Sequence, residues 1–471
     1  MPTCEDEFFT WLAALDCRDI KVYALPEGTI CFPRVPLLRI EGPLAVGQLL
    51  ETPLLNLVNY PSLVATNGAR HRLAAGADKT LLEFGLRRAQ GPDGALSASR
   101  YSYIGGFDGT ANLLAGKLTG IKVSGTHAHA FVQSYSSFAQ IKDARLDGCA
   151  DFAAAVQAYR IKLGYSTTHT GELAAFTAYA LAFPDGFLAL VDTYDTLYSG
   201  VPNFICVALA LDDLGHHCKG VRLDSGDLSF LSKEVRKMVG GVAKKMERPW
   251  LRDINIVASN DINEQVSHVT GGQWRESGVS RTTSFFFMFR LGRQGHEINT
   301  FGIGTNLVTC QEQPALGCVY KLVEIGGQAC IKISQAKSKI SLPGRKAGYR
   351  LYGHDGKPIL DLMVKADEPA PEPHKPILCR HPFEATKRAL VTPLAVKPLH
   401  ALYWDGPAGG LVAPLPPIDD LRRRVAAGIA EIREDTLRVL NPTPYKVSLS
   451  EGLYEFLHEL WEKEAPIKEL S

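Results

Sequence analysis

One unit recurs through the middle of this chain: a short apolar run that ends on polar or acidic residues and passes into a helical pattern. FLALVDTYD (187–195) leads into VPNFICVALALDDLG, GVRLDSGD (220–227) leads into LSFLSKEVRKMVGGVAKKM, and INIVASNDIN (254–263) and NTFGIGTN (299–306) follow. Asp192 and Asp224 lie about 32 residues apart, and Asp224 and Ser259 about 35, the length of a strand plus a crossover helix in parallel α/β architecture. The repeat predicts an α/β barrel or a wound parallel sheet. In a barrel the strand ends share one rim, so Asp192, Arg222, Asp224, Ser259 and Gly304 are expected on one face.

The flanks follow other patterns. Residues 20–46 alternate β-branched runs with Pro and Gly turns, as in a small sheet. From about residue 48, Leu49, Leu50, Pro53, Leu54, Leu57 and Val58 form a helical apolar stripe, and RHRLAAGADKTLLEFGLRRA is expected to continue in that style. Beyond about residue 318, CVYKLVEIGG, CIKISQ and YRLYGHDGKPILDLMV return to strands, with GG and DG at hairpin positions. ADEPAPEPHKP (366–376) reads as a solvated connector. DDLRRRVAAGIAEIRED and SEGLYEFLHELWEKE read as closing helices, the second with Ser448 as its N-cap before Glu451. A chain of 471 residues suits a barrel-sized domain plus a smaller one.

Composition removes several classes of function. With 51 Lys+Arg against 50 Asp+Glu there is no global field to draw nucleic acid or an acidic membrane surface, so any anion site is local. The ten cysteines show no C-x2-C pair and read as reduced thiols. MPTCEDEFF is acidic where a secretory leader is basic, and the most apolar stretches, 44–65 and 173–211, are interrupted by charges, asparagines or prolines. No membrane association and a cytosolic location are expected.

Four short stretches have the residues that chemistry needs. GVRLDSGDL sets Arg222 and Asp224 two apart on a strand, hence on one face, before a glycine turn that opens a helix. The same pattern also suits a strand-end ion pair with Asp227 as helix cap. In TFGIGTN, Gly302 and Gly304 let backbone N–H groups approach a phosphate while Thr305 adds a hydroxyl; a ligand-free turn reads the same way. SGTHAHAF puts His127 and His129 on one expected strand face, as functional or merely satisfied histidines. EFGLRRAQG combines Phe84 with Arg87 and Arg88, suited to a flat anionic ring or to a solvated helix end.

Taken in order, EFGLRRAQGPDG, YSYIGGFDGTANLLAG, SGTHAHAF, LVDTYDTLYSGVPNF, GVRLDSGDL, ASNDINE, FGIGTNLVTC and LGCVYKLVEIGG resemble the nicotinate phosphoribosyltransferase family, from about residue 7 to the C-terminus. The resemblance implies a distorted (β/α) barrel-like domain beside a β-rich domain, the type II phosphoribosyltransferase fold, acting as a homodimer. It implies that nicotinate attacks C1 of 5-phosphoribosyl 1-pyrophosphate, with Mg2+ assisting pyrophosphate departure and ATP as co-substrate. By position in the motifs, Phe84 would stack on the pyridine ring, Arg87 would neighbour ring and phosphates, and Arg222 would hold carboxylate or phosphate. Asp224 would bind ribose hydroxyls or the metal with Asp192 assisting, and Ser259 and Asn260 would line the ribose. Gly302, Gly304 and Thr305 would cradle the 5'-phosphate, and His129 would be the phosphorylated histidine. Asn112 stands where nicotinamide-using relatives have an aspartate, which favours the acid.

The implied organisation is a β-rich N-terminal remnant at 1–47, a catalytic domain at 48–315, a β-rich domain at 316–410 and a helical segment at 411–471. The family's T-D-L-Y segment has no match here. WRESGVSRTTSFFFMFRLGR (274–293) has no family counterpart, and Ala130 replaces the serine usual after the phosphorylated histidine. These departures leave a second expectation, a catalytically impaired isoform that partners a full-length subunit.

Overall fold

The computed structural model describes residues 4–259, 295–311, 313–334, 340–438 and 441–466. It contains two compact units, Tyr60–Leu316 and the combination of Met1–Asn59 with Gly317–Ser471. Asn260 and the 274–293 stretch lie outside the described residues.

Unit Tyr60–Leu316 is built on six parallel strands: β1 (Thr80–Glu83), β2 (Gly109–Thr110), β3 (Leu188–Leu190), β4 (Gly220–Leu223), β5 (Asn255–Ala258) and β6 (Thr300–Ile303). Their order is β2-β1-β6-β5-β4-β3, so the last strand returns to pair with the first. This is the expected barrel-like sheet. Among the described residues its ladder is open between β2 and β3. The strands are short and apolar because both faces are covered; all four residues of β6 are buried. Helix Val201–Asp212 is buried from Val201 to Leu211, in keeping with a sequence apolar all round.

The segment after β2 occupies the open seam. Val123 bridges Thr110 in parallel, and Leu190, on edge strand β3, donates its N–H to His127 Nε2 at 3.2 Å. Burial pushes the His127 pKa down to about 4, so the ring is neutral and can accept that bond. His127 and His129 therefore do not share a strand face: His127 closes the sheet, while His129 begins the short helix His129–Gln133.

The expected helix through KTLLEFG is also replaced. Helix Leu44–Ala75 ends before Gly76, which has φ of 83°, and Leu81, Leu82 and Glu83 enter β1, buried. A strand of four residues, TLLE, carries no period long enough to separate strand from helix.

In the other unit, Lys21–Ala24 pairs with both Leu38–Glu41 and Ala401–Asp405, which joins residues 20–46 to the C-terminal β-rich region. Gly326-Gly327 turns a two-stranded hairpin with both φ positive, and Asp355-Gly356 lies between Lys346–Tyr352 and Pro358–Lys365. The cap of the last helix, Glu451–Glu464, is Ser450 rather than Ser448: Ser450 accepts from the Leu453 N–H, while Ser448 sits in strand Val447–Leu449 against Leu362. At the centre of this unit Arg350 and Asp361 form a bidentate pair at 2.8 and 2.9 Å, with side chains 7% and 0% exposed.

His216, in the loop before β4, links Asp185 Oδ1 at 2.8 Å and Asp147 Oδ2 at 2.5 Å. The two carboxylates raise its pKa above the ordinary 6.5. A group whose folded pKa is raised stabilises fully below its unfolded pKa, and that contribution is lost as pH rises through the folded value. His216→Ala is thus expected to lower stability by up to about 1 kcal/mol at pH 6 and by less at pH 8.5, both partners being exposed. Urea unfolding at the two pH values checks it; equal losses would show that the charge has no part.

Candidate functional site

The parallel register carries the predicted residues to one rim. Ladder bonds continue just past the strands: Val191 N–H to Arg222 O, Ser259 N–H to Leu223 O, and Phe84 N–H to Ile303 O. Asp192, Arg222, Asp224, Ser259 and Phe84 thus leave the barrel at neighbouring points.

Asp224 is the hub. Its Oδ1 accepts from Arg222 Nη2 at 3.1 Å and from Ser259 Oγ at 2.6 Å, and its Oδ2 lies 3.7 Å from His129 Nε2. The Asp224 backbone N–H donates to Asp192 Oδ2 at 3.0 Å, and Ser225 Oγ donates to the same oxygen at 2.6 Å. Asp192 Oδ1 is buried and has no donor. Arg222 is fixed further by Nε to Ser259 Oγ at 2.5 Å and Nη1 to Thr126 Oγ1 at 3.0 Å. Its guanidinium carbon stands 5.4 Å from the centre of the Phe84 ring. The strand-end ion pair expected for GVRLDSGDL is present, and Asp227 caps helix Leu228–Lys245 through the Phe230 N–H. His129 Nδ1 meets Thr193 Oγ1 at 3.0 Å, which leaves Nε2 toward Asp224.

The glycines have a more local cause than phosphate approach. A Cβ on Gly302 would collide with the Phe84 ring, and one on Gly304 would stand 3.0 Å from the Phe84 carbonyl oxygen. Thr305 Oγ1 accepts from Arg88 Nη1 at 2.6 Å, so Arg88 joins the rim at that point. Arg87 is exposed in the turn Leu86–Arg88.

Asn112 is 3% exposed and engaged at both ends of its amide: its Oδ1 caps helix Leu113–Thr119 through the Ala115 N–H, and its Nδ2 donates to Ser99 Oγ at 3.4 Å. Ser99 belongs to a cluster absent from the sequence expectations. Glu83, 1% exposed at the end of β1, accepts from Ser99 Oγ at 2.7 Å, Thr110 Oγ1 at 2.5 Å and the Gly85 N–H, and so sets the turn that presents Phe84. Its signal was present: TLLE is a short run ending in an acid, as FLALVD is at Asp192. Thr126 and Thr193 carried no comparable mark. Among the described residues no three His, Cys, Asp or Glu side chains group as a metal site, and no helix is long and apolar enough to cross a membrane.

A rim with a cation over an aromatic face, a carboxylate braced by hydroxyls and an accessible histidine is equipped to hold a flat anion beside a polyol. Known proteins resemble the chain along nearly its whole length. Residues 1–59 match the model described as the nicotinate phosphoribosyltransferase N-terminal domain, and residues 345–457 match that of its C-terminal domain. The chain is 51% identical over 484 residues to nicotinate phosphoribosyltransferase 1 of Arabidopsis thaliana, covering 100% of this chain and 83% of that protein. It is 45% identical over 477 residues to the Homo sapiens nicotinate phosphoribosyltransferase, covering 99% and 84%. The crystal structure of human nicotinic acid phosphoribosyltransferase superposes with a TM-score of 0.83 at 43% identity, over 98% of this chain and 86% of that one. A Pyrococcus furiosus nicotinate-nucleotide pyrophosphorylase, 23% identical with a TM-score of 0.56 over 88% of this chain and 81% of its own, shares the fold.

Proposed function

Since this chain belongs to the nicotinate phosphoribosyltransferase family, we propose that it joins nicotinate to 5-phosphoribosyl 1-pyrophosphate in NAD salvage, forming nicotinate mononucleotide and pyrophosphate with ATP as co-substrate. The observation that carries this reading is the Arg222–Ser259–Asp224 triangle beside Phe84 at the barrel rim. The pyridine nitrogen attacks C1 of the sugar as the C1–O bond to pyrophosphate breaks. The sugar becomes oxocarbenium-like on the way, so positioning and charge matter more than covalent chemistry.

Phe84 offers the ring a stacking face, and Arg222, beside it, is suited to its carboxylate. Asp224 and Ser259 are suited to the ribose hydroxyls, and Thr305 with Arg87 and Arg88 to the 5'-phosphate. The neutral amide of Asn112 keeps a second negative charge away from Glu83, which favours an anionic base. His129, with Nδ1 engaged by Thr193, presents Nε2 as the acceptor of the ATP γ-phosphoryl group, an N–P bond forming as the bond from Pγ to the β-phosphate oxygen breaks and ADP leaves.

The unpaired Asp192 Oδ1 and the Asp224 carboxylate suit Mg2+, which binds through one or two carboxylates and substrate phosphates. When bound, Mg2+ would neutralise charge on the departing pyrophosphate. A homodimer fits exposed Leu114, Leu118 and Val123 beside the open seam, and the cytosol is the proposed compartment. A non-catalytic partner subunit has less support, since Arg222, Asp224 and Ser259 bond to one another at the rim.

The test is direct. Purified protein with nicotinate, 5-phosphoribosyl 1-pyrophosphate and Mg2+ is expected to yield the mononucleotide by chromatography, with turnover rising several-fold on adding ATP. Chelation is expected to return it to background, and nicotinamide to compete poorly. No product under any of these conditions would sink the reading.

A further inference from the structure

We propose that Glu172 is a positioning residue for the catalytic rim, acting through Ser199, Asn203 and His169 on the loop that carries Asp192 and Thr193. The proposal rests on the function proposed above.

Glu172 lies in helix Thr170–Ala182 with no exposed surface. A buried carboxylate without a cationic partner is costly, and an apolar residue would suit a helix core better. Its Oε2 accepts from Ser199 Oγ at 2.5 Å and Asn203 Nδ2 at 3.0 Å, while Oε1 has no donor. Burial pushes its pKa up to about 7, opposed by these two hydrogen bonds and reinforced by Asp195 and Asp192.

The same two side chains hold His169 by its backbone. The His169 N–H donates to Ser199 Oγ at 3.0 Å, and Asn203 Nδ2 donates to His169 O at 3.1 Å. The Glu172 N–H donates to His169 Nδ1 at 3.1 Å, which orients the ring, and the ring stacks on Tyr194 at 3.8 Å and 20°. Arg160 braces the preceding loop through the carbonyls of Tyr165, Ser166 and Thr168.

This arrangement clamps the rim loop at both ends. Beyond Tyr194, Asp195 caps a single π-turn, Thr196–Gly200, through the N–H groups of Leu197 and Tyr198. A Cβ on Gly200 would collide with the Val191 carbonyl, so the turn lies directly on the end of β3. Single π-turns recur at functional sites. Between the clamps stand Asp192, which receives the Asp224 N–H, and Thr193, which meets His129. Glu172 touches none of the reacting groups, yet both ends of their support return to it.

Hydrogen exchange on the full chain, paired with steady-state kinetics, tests this. Glu172→Ala is expected to speed exchange in residues 191–200 by about 10-fold or more, with residues 235–245 unchanged. It is expected to lower kcat by about 10-fold while leaving KM for both substrates within about two-fold. Glu172→Gln, which keeps an acceptor for Ser199, is expected to restore most of both. Tyr194→Ala, which removes the stack from the surface without opening the core, is expected to loosen 191–200 in the same way, and it decides the matter if Glu172→Ala does not fold. Unchanged exchange in 191–200, equal acceleration in 191–200 and 235–245, or a change confined to KM would overturn the proposal. Exchange needs no turnover, so an inactive wild type would defeat the proposed function while leaving the positioning role decidable.

Discussion

Asp224→Ala is expected to lower kcat/KM for mononucleotide formation by about 10³-fold or more, with little loss of fold stability. The reason is the number of groups that converge on one carboxylate: Arg222 and Ser259 on one oxygen and His129 near the other. Removing it leaves the Arg222 guanidinium with hydroxyl acceptors but no carboxylate and a serine free to turn away, while the candidate cation position loses half its negative charge. Loss of a single preorganised electrostatic partner reduces rates by about 10²–10³-fold, and here positioning is lost with it. Asp224→Asn keeps an oxygen for Ser259 but not the charge, so its activity should fall between the two. Kinetics with a parallel thermal melt check both variants. An alanine variant within about 10-fold of wild type would place the chemistry elsewhere.

The largest expected effect on stability lies in the β-rich unit. Asp361→Ala should destabilise by about 3–5 kcal/mol, because it leaves the Arg350 cation buried and unpaired. Burial works against the Arg350 charge, yet Asp361 holds its pKa above the usual arginine range. Burial and Asp361 also push Tyr445 up; its hydroxyl donates to Asp361 at 2.9 Å, and its ring stacks on Phe32 at 3.6 Å. The double change Asp361→Leu with Arg350→Met removes both charges and should lose much less than the single one. Urea unfolding followed by tyrosine fluorescence distinguishes them. A single-variant loss below about 1 kcal/mol would show the pair to be solvated.

The rim was legible in the sequence because strand ends in a parallel barrel converge by topology. An acid or arginine closing an apolar run needs no partner to be noticed, and Asp192, Arg222, Asp224 and Ser259 meet as expected. What stayed hidden depends on distant pairs. Nothing local to Glu172 announces that Ser199 and Asn203 will return to it, and nothing in GTAN shows that Asn112 will spend its side chain on a helix cap. Glycines 302 and 304 mark a close approach, but not what approaches, and the sequence does not show that Phe84 is one such neighbour. Ser448 and Ser450 are both plausible caps until strand pairing claims the first.

The seam between β2 and β3 sets a tolerance. Elsewhere around the sheet, adjacent strands are locked by ladders of backbone bonds, so a change of one side chain leaves the circumference as it was. At the seam, the bond to edge strand β3 is made by one imidazole, His127, two residues before the histidine that faces Asp224. The girth of the sheet and the approach of His129 to Asp224 are therefore written into the same five residues, Thr126 to Ala130. A substitution there that widened the barrel would displace the His129 ring by the same movement.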